Sequence, residues 1–254
     1  MANSKRSYLF RVMTDQQYFN LMPVGDFHVG HKCFDLERFK LFVERAKILR
    51  KQGNVKLVVM GDSIENAIPG SKSSPFESSI SDPEEQIEIA TELLEPIADI
   101  ILGLHDGNHP YRTTQATGLK PEKIIAKSLG VPYLDHQALW RISINGIPYD
   151  VFSCHGRGGS ATPSGKLNAV MSLSKLATAD LYLMGHVHDR VGYIIHYQAI
   201  ENGKVVIKER GFATSASFLS YLGGYGERLL YAPGAIGETT IQLNTTEFGI
   251  RILL

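Results

Sequence analysis

Apolar positions fall along this chain in two patterns: short continuous runs that break at a glycine or a turn, and longer stretches with helical spacing. Tyr18–Val24 and residues 55–60, 99–104 and 180–184 are runs of the first kind, predicted as strands buried on both faces. Residues 8–13 predict an edge strand. In Leu36–Lys51 the apolar residues Leu36, Phe39, Val43, Ala46, Ile48 and Leu49 recur at helical spacing, with Asp35 placed as N-cap and Gly53 as the stop. That makes a strand–helix–strand unit. Pro83–Leu94 predicts a second helix, with Pro83 in its first turn, Glu84 and Glu85 at the positive end of its dipole, and Pro96 disturbing its far end. Residues 121–129, closed by Gly130, and 166–176 predict two more.

Residues 140–144 and 148–153 flank Asn145-Gly146, a strong hairpin signal. Residues 193–200, the turn at 201–204, and residues 205–210, 239–243 and 248–254 read as an antiparallel meander, interrupted by a Gly-rich loop at 223–226. Residues 66–82 are rich in Ser, Pro and Gly without any period, which predicts a long loop of the kind that serves as a lid. No repeat and no linker divides the chain, so residues 1–254 are expected to form one domain. The fold expected is α/β, a two-sheet β-sandwich flanked by helices, in which the N-terminal strands feed a site and the C-terminal strands mostly build the second sheet.

Composition narrows the class. Hydrophobic residues make up 43% and charged residues 20%, the balance of a globular rather than a disordered chain. Lys plus Arg and Asp plus Glu are 26 each, so there is no basic excess for gripping long nucleic acid through its phosphates alone. A local basic rim stays open. No run is long enough to span a membrane and the start, Met1 to Arg6, lacks the apolar core of a secretory signal, so a cytoplasmic location is expected. Cys33 and Cys154 are far apart and form no zinc-type pair, and both are expected to be buried thiols.

The chemistry sits at the ends of the predicted strands. Five such ends carry Asp26 and His28, Asp62, Asn108 and His109, His155, and His186 and His188, which gathers five of the nine histidines. In an extended segment residues two apart point the same way, so Asp26 with His28, and His186 with His188, are each expected to aim into one volume. Oxygen and imidazole donors without a thiolate suit Mn, Fe, Zn or a similar divalent ion. Seven candidates exceed the needs of one tetrahedral ion. Two ions sharing a carboxylate, about 3.5–4 Å apart, account for all of them.

The ordered set Asp-x-His, Gly-Asp, Gly-Asn-His, His-Gly and Gly-His-x-His, spanning Asp26 to His188, resembles the calcineurin-like metallophosphoesterase family. The resemblance implies that family's four-layer fold and two divalent metal ions, Mn²⁺ first among Mn, Fe, Zn, Ni and Mg. It makes Asp26, His28 and His188 ligands of one ion, Asn108, His155 and His186 ligands of the other, Asp62 the bridge, and His109 the acid that protonates the leaving group. The implied reaction is hydrolysis of a phosphate ester by a hydroxide held between the metals. Two positions depart from the family pattern: Pro110 stands where an acidic residue is common, and Glu65 stands where a second Asp is common. Glu65 is expected to reach His109 and orient it.

Around this set, Arg112 is the candidate phosphate clamp, and Arg157 and Lys166 are candidates for the substrate border. Residues 158–166 fail the Walker pattern, because Leu167 stands where Ser or Thr would bind magnesium. Tyr111, Tyr221 and Tyr225 are weighed as base-stacking residues against simple packing. Asp106 and Asp189 are read as partners of ligands or as solvated turn acids, and His31, His105, His136 and His196 as structural or surface residues. Lacking an evident cap domain, the chain is similar to small prokaryotic or phage-type members and to the catalytic module of DNA-repair exonucleases. That implies a phosphodiesterase, a nuclease among them, acting on nucleotides or DNA. The alternatives are a phosphomonoesterase or protein phosphatase, and, in another class, a non-catalytic metal-binding scaffold. The sequence is silent on oligomeric state.

Overall fold

A computed structural model describes residues 7–69, 71, 74–228, 230 and 232–254. Residues 1–6, on which the secretory-signal reading rests, lie outside the described residues, as do 70, 72 and 73 of the expected lid and the side chain of Tyr225. The elements in order are β1 (Tyr8–Val12), β2 (Tyr18–Val24), α1 (Leu36–Lys51), β3 (Val55–Val59), α2 (Pro83–Leu94), β4 (Ile101–His105), α3 (Asn108–Thr117), α4 (Pro121–Ser128) and β5 (Tyr133–Asp135). They continue with β6 (Gln137–Ile144), β7 (Ile147–Cys154), α5 (Pro163–Met171), β8 (Leu181–Met184), β9 (Gly192–Glu201), β10 (Lys204–Thr214), β11 (Thr240–Asn244) and β12 (Ile250–Leu253).

The described strands form two mixed six-stranded sheets, ordered β12-β11-β2-β3-β4-β5 and β1-β6-β7-β8-β10-β9. Within the first, β2, β3, β4 and β5 run parallel; within the second, β7, β8 and β10 do. Three apolar clusters separate four layers. One lies between α1, α2 and α4 and the outer face of the first sheet, built on Phe39, Phe42, Leu57 and Leu94. A second fills the space between the sheets, with Leu21, Val58, Trp140, Tyr149 and Leu183. The third, with Phe152, Val170, Tyr182 and Phe212, seals α5 onto the second sheet. Both faces of β2 and β8 are therefore covered, which is why their sequences are apolar runs rather than alternations. β6, whose outward positions are wet over most of its length, alternates instead.

Local chemistry explains most boundaries. The Asp35 carboxylate accepts from the Arg38 N–H at 2.9 Å and starts α1, and Asp82 does the same for Glu84 at the start of α2. Asn145 and Gly146 both take the left-handed conformation, at φ 49° and 91°, that a tight hairpin between β6 and β7 requires. The buried stripe of α1 is Phe39, Phe42, Val43 and Ala46, whereas Leu36 and Ile48 face solvent. The expected loop at 66–82 contains a 3-10 turn at Pro75–Glu77.

The division of strands between sheets differs from the expected one. The last two strands return to the first sheet, β11 antiparallel beside β2, and only β9 and β10 of the C-terminal strands extend the second. The second sheet also brings ligand candidates, because His155 and His186 follow the ends of β7 and β8. The site therefore forms where the C-terminal ends of parallel strands in both sheets meet.

Candidate metal centre

Six non-glycine residues of the site region have positive φ: Asp26 at 51°, His28 at 53°, Asp62 at 51°, Asn66 at 49°, His186 at 70° and His188 at 50°. The left-handed region is costly for residues with a Cβ, and such strain persists where surrounding contacts over-determine it. The backbone at the Asp26/His28 and His186/His188 pairs is thus not the extended one expected, although Asp26 and His28 do aim into one group. The turns aim the side chains one at a time, and His186 and His188 go to neighbouring groups rather than into one.

The first group is Asp26, His28 and His188, whose ligand atoms lie within 4.8 Å of one another. His28 Nε2 is 3.1 Å from His188 Nε2, and His188 Nε2 is 3.3 Å from Asp26 Oδ1. His28 Nδ1 donates to Glu65 Oε2 at 2.9 Å, so its Nε2 is left with a lone pair. Burial holds His28 down at about 4, in the neutral form that binds a cation. The second group is Asp62, His155 and His186, joined by Asn108. His155 Nδ1 donates to the Met60 carbonyl at 2.8 Å, and its Nε2 lies 2.9 Å from Asn108 Oδ1, 3.2 Å from His186 Nδ1 and 3.3 Å from Asp62 Oδ2. Burial opposes a charge on His155, yet Asp62 and Asp26 push it up to about 10.

This donor set fits divalent ions. In each group carboxylate and imidazole atoms converge on one another, and Nδ1 of His28 and of His155 is engaged from behind by Glu65 and by Met60, which turns each Nε2 into its group. One cation satisfies several lone pairs that the protein itself leaves facing each other. Burial works against ionised Asp26 and Asp62, but neighbouring histidines, His188 for Asp26 and His155 for Asp62, hold both carboxyls below their usual range. Asp26 also ties the two sheets together, since its carboxylate accepts from the His186 N–H at 2.9 Å.

His109 stands at the start of α3 beside the first group, its ring 4.4 Å from that of His28. Its N–H donates to Asp62 Oδ1 at 2.8 Å and its Nδ1 donates to the Glu65 carbonyl at 2.8 Å, with Glu65 Oε2 at 3.3 Å. Burial opposes protonation of His109, but Asp62 and then Glu65 raise its pKa. The Glu65 side chain thus touches both a ligand candidate and His109. Its own carboxyl, though buried, is held well below the carboxylate range by hydrogen bonds from His109 and His28.

Three helices hold the 61–66 turn from outside. From α4, Glu122 accepts the Ser63 N–H at 2.8 Å and faces its Oγ at 2.9 Å. From α2, Gln86 accepts the Asn66 N–H at 2.8 Å. From α3, the His109 carbonyl accepts from Asn66 Nδ2 at 2.7 Å, and Thr113 donates to Asn66 Oδ1 at 2.9 Å. Gly107 is obligatory here, because a Cβ on it would sit 2.1 Å from Asp62 Oδ1. Sequence reasoning did not single out Ser63, Asn66, Gln86 or Glu122, whose role rests on contacts across 20 to 59 residues.

The two groups open into a cavity of about 480 Å³. Arg112 lines it, with Nη1 3.3 Å from the carbonyls of Glu65 and Asn66. Lys166 lines it too, paired with Asp189 at 2.9 Å, and Glu77 and Tyr221 form part of its wall. Arg157 is exposed and is not among the lining residues. Tyr111 lies outside the lining as well, edge-on to His136. His31 reaches the cavity, where its Nδ1 accepts the Cys33 N–H at 3.0 Å. His105 belongs to a link between the sheets: Trp140 Nε1 donates to Ser153 Oγ at 2.8 Å, Ser153 donates to His105 Nε2 at 2.8 Å, and His105 Nδ1 faces the Asp135 carbonyl at 3.3 Å. Burial pulls this His105 down to about 3. Asp106 accepts from Tyr133, and both cysteines are buried thiols.

No family model matches this sequence. No curated protein matches it either. Among solved structures it is similar to the NAD nucleotidase NadN of Haemophilus influenzae, with a TM-score of 0.42 and 10% identity over 93% of this chain and 49% of that one. It is also similar to a 5'-nucleotidase from Candida albicans, with a TM-score of 0.30 and 14% identity over 73% of this chain and 37% of that one. The chain spans about half the length of the first and little more than a third of the second.

Proposed function

We propose that this chain is a two-metal phosphoesterase of the calcineurin-like metallophosphoesterase family, acting on phosphodiesters of the nucleotide or nucleic-acid kind. The observation that carries the reading is the pair of adjacent groups of converging carboxylate, imidazole and amide-oxygen atoms, Asp26/His28/His188 and Asp62/Asn108/His155/His186, with His109 beside them. Two divalent ions held there, Mn²⁺ by preference, would neutralise phosphate oxygens and lower the pKa of water. Asp62, in the second group and within the influence of His28, is the proposed bridge.

The chain's own groups supply the rest. His109 commits Nδ1 to Glu65, so Nε2 is the nitrogen that hands a proton to the departing oxygen, and Asp62 and Glu65 favour its protonated form. Arg112, held by two carbonyls at the cavity wall, is the proposed phosphate clamp. Residues 66–82, whose Glu77 stands in the wall, are the proposed cover of the site. A cavity of about 480 Å³ lies within the size range of small-molecule sites, which favours a nucleotide-sized ester over a folded phosphoprotein.

The test is hydrolysis of bis(p-nitrophenyl) phosphate against p-nitrophenyl phosphate in Mn²⁺, with Asp62→Asn as control. Turnover that prefers the diester and disappears in Asp62→Asn is expected. Absence of turnover of both esters across several divalent metals would overturn the enzyme reading, and a monoester preference would overturn the diester assignment.

A further inference from the structure

Four strands form the open edges of the two sheets, and they are not alike. β1 has five residues and carries Arg11, β12 has four and carries Arg251, and β5 has three and ends in Asp135. Shortness and charge are the ordinary protections of an edge whose backbone groups are unpaired. β9 has neither. It is ten residues long, and from Gly192 to Ile200 it contains no Lys, Arg, Asp, Glu or Pro. Its pairing with β10 runs in register from Ala213↔Gly192 to Lys204↔Glu201 without a bulge to turn the edge aside. Among the described residues no backbone hydrogen bond reaches β9 from the side away from β10.

The same ribbon exposes large apolar side chains: Tyr193 at 53% and Ile200 at 78% on β9, with Val205 at 67% and Ile207 at 65% on β10. In a molecule whose other edges are guarded, this is a surface shaped for pairing. We propose that β9 is the interface of a homodimer in which the β9 strands of two copies pair antiparallel about a two-fold axis, joining their second sheets into one.

The charges favour a second copy as the occupant. Glu201 ends β9, and Arg190 lies just before it. Antiparallel pairing brings Glu201 of one copy towards Arg190 of the other at both ends of the interface. Between those ends the strand carries no formal acid or fixed cation, so two copies meet without like-charge repulsion. A two-fold interface is also the commonest form of self-association.

Sedimentation velocity of the full chain at micromolar concentration is expected to give twice the mass of one chain. Tyr193→Lys with Ile200→Lys alters only exposed side chains and puts like charges across the two-fold. This double variant is expected to sediment as a monomer, about 100-fold weaker in self-association, with circular dichroism and phosphoesterase turnover unchanged. Amide exchange of β9 is expected to be slow in the wild type and fast in the variant. A wild type that is monomeric throughout, whether or not an unrelated peptide binds its β9, overturns the proposal. So does a dimer that survives the double variant, or one whose β9 amides exchange as fast as those of a free edge.

Discussion

Glu122 offers a quantitative test of how the turn carrying Asp62 is held. It is fully enclosed on α4, and Ser63 occupies both of its oxygens. Burial pushes its carboxyl from an ordinary 4.5 up to about 8. At neutral pH the native protein therefore keeps a proton here that the unfolded chain has lost. Stability from this group is complete below pH 4.5, declines as pH rises, and is lost above about 8, with a slope near 1.4 kcal/mol per pH unit between them. From about pH 5 to about pH 8 the loss sums to roughly 4 kcal/mol, a large share of the about 5–15 kcal/mol that stabilises a domain. Glu122→Gln keeps the shape, the acceptor for the Ser63 N–H and a donor for Ser63 Oγ, but does not titrate. Urea denaturation of both proteins in EDTA across this range is the assay. Near pH 5 the two are expected to be about equally stable, and the variant should gain by roughly 4 kcal/mol at pH 8. If the difference between the curves stays constant with pH, Glu122 is ionised in the native protein and the reasoning fails.

The candidate metal centre and the core beneath it set further expectations. His109→Ala should slow esters with poor leaving groups by about 10²–10⁴-fold and activated aryl esters much less, while metal content measured by elemental analysis stays unchanged. Glu65→Gln removes the charge behind His28 and His109. It should weaken metal binding by about 10–100-fold in calorimetry, and, by lowering the His109 pKa, should move the alkaline limb of the rate profile to lower pH. Calorimetric titration of chelator-treated protein should saturate at two equivalents of Mn²⁺ and raise the melting temperature; saturation at one would contradict the two-group reading. Ser153→Ala leaves Trp140 Nε1 and His105 Nε2 unpaired in the core, for an expected loss of about 2–4 kcal/mol. Trp140 is the chain's one tryptophan, so its emission reports that site directly.

The strand ends were legible because burial on both faces leaves a plain apolar run, and the polar residue after it is conspicuous. Asp26, Asp62, Asn108, His155 and His186 stand out for that reason. The partners of each strand were not legible. Residues 239–243 look the same whether they pair with β9 or, as found, with β2, because periodicity records burial and not neighbours. α3 escaped notice because its sole buried residue is Pro110; with almost no apolar stripe, its position depends on Asn66, Asp62 and the Gly107 approach rather than on its own pattern. Leu36 and Ile48 fit the spacing of α1 but fall to the side of the face that Phe42 fills. The dual contact of Glu65 was half visible: its reach to His109 was implied by the resemblance to the metallophosphoesterase pattern, whereas its bond to His28 depends on how two turns from different strands meet.

The left-handed backbone at Asp26, His28, Asp62, His186 and His188 affects how the site should be dissected. Replacing any of them with alanine removes a side chain and also leaves a residue with a Cβ in a conformation costing about 1–2 kcal/mol, without the local hydrogen bonding that helps offset it. A loss of activity in such a variant would mix collapse of the turn with loss of the ligand. Asparagine and glycine tolerate this backbone, so Asp→Asn and His→Asn are the cleaner replacements at these five positions. His109, on regular helix, is the neighbour where alanine can be read at face value.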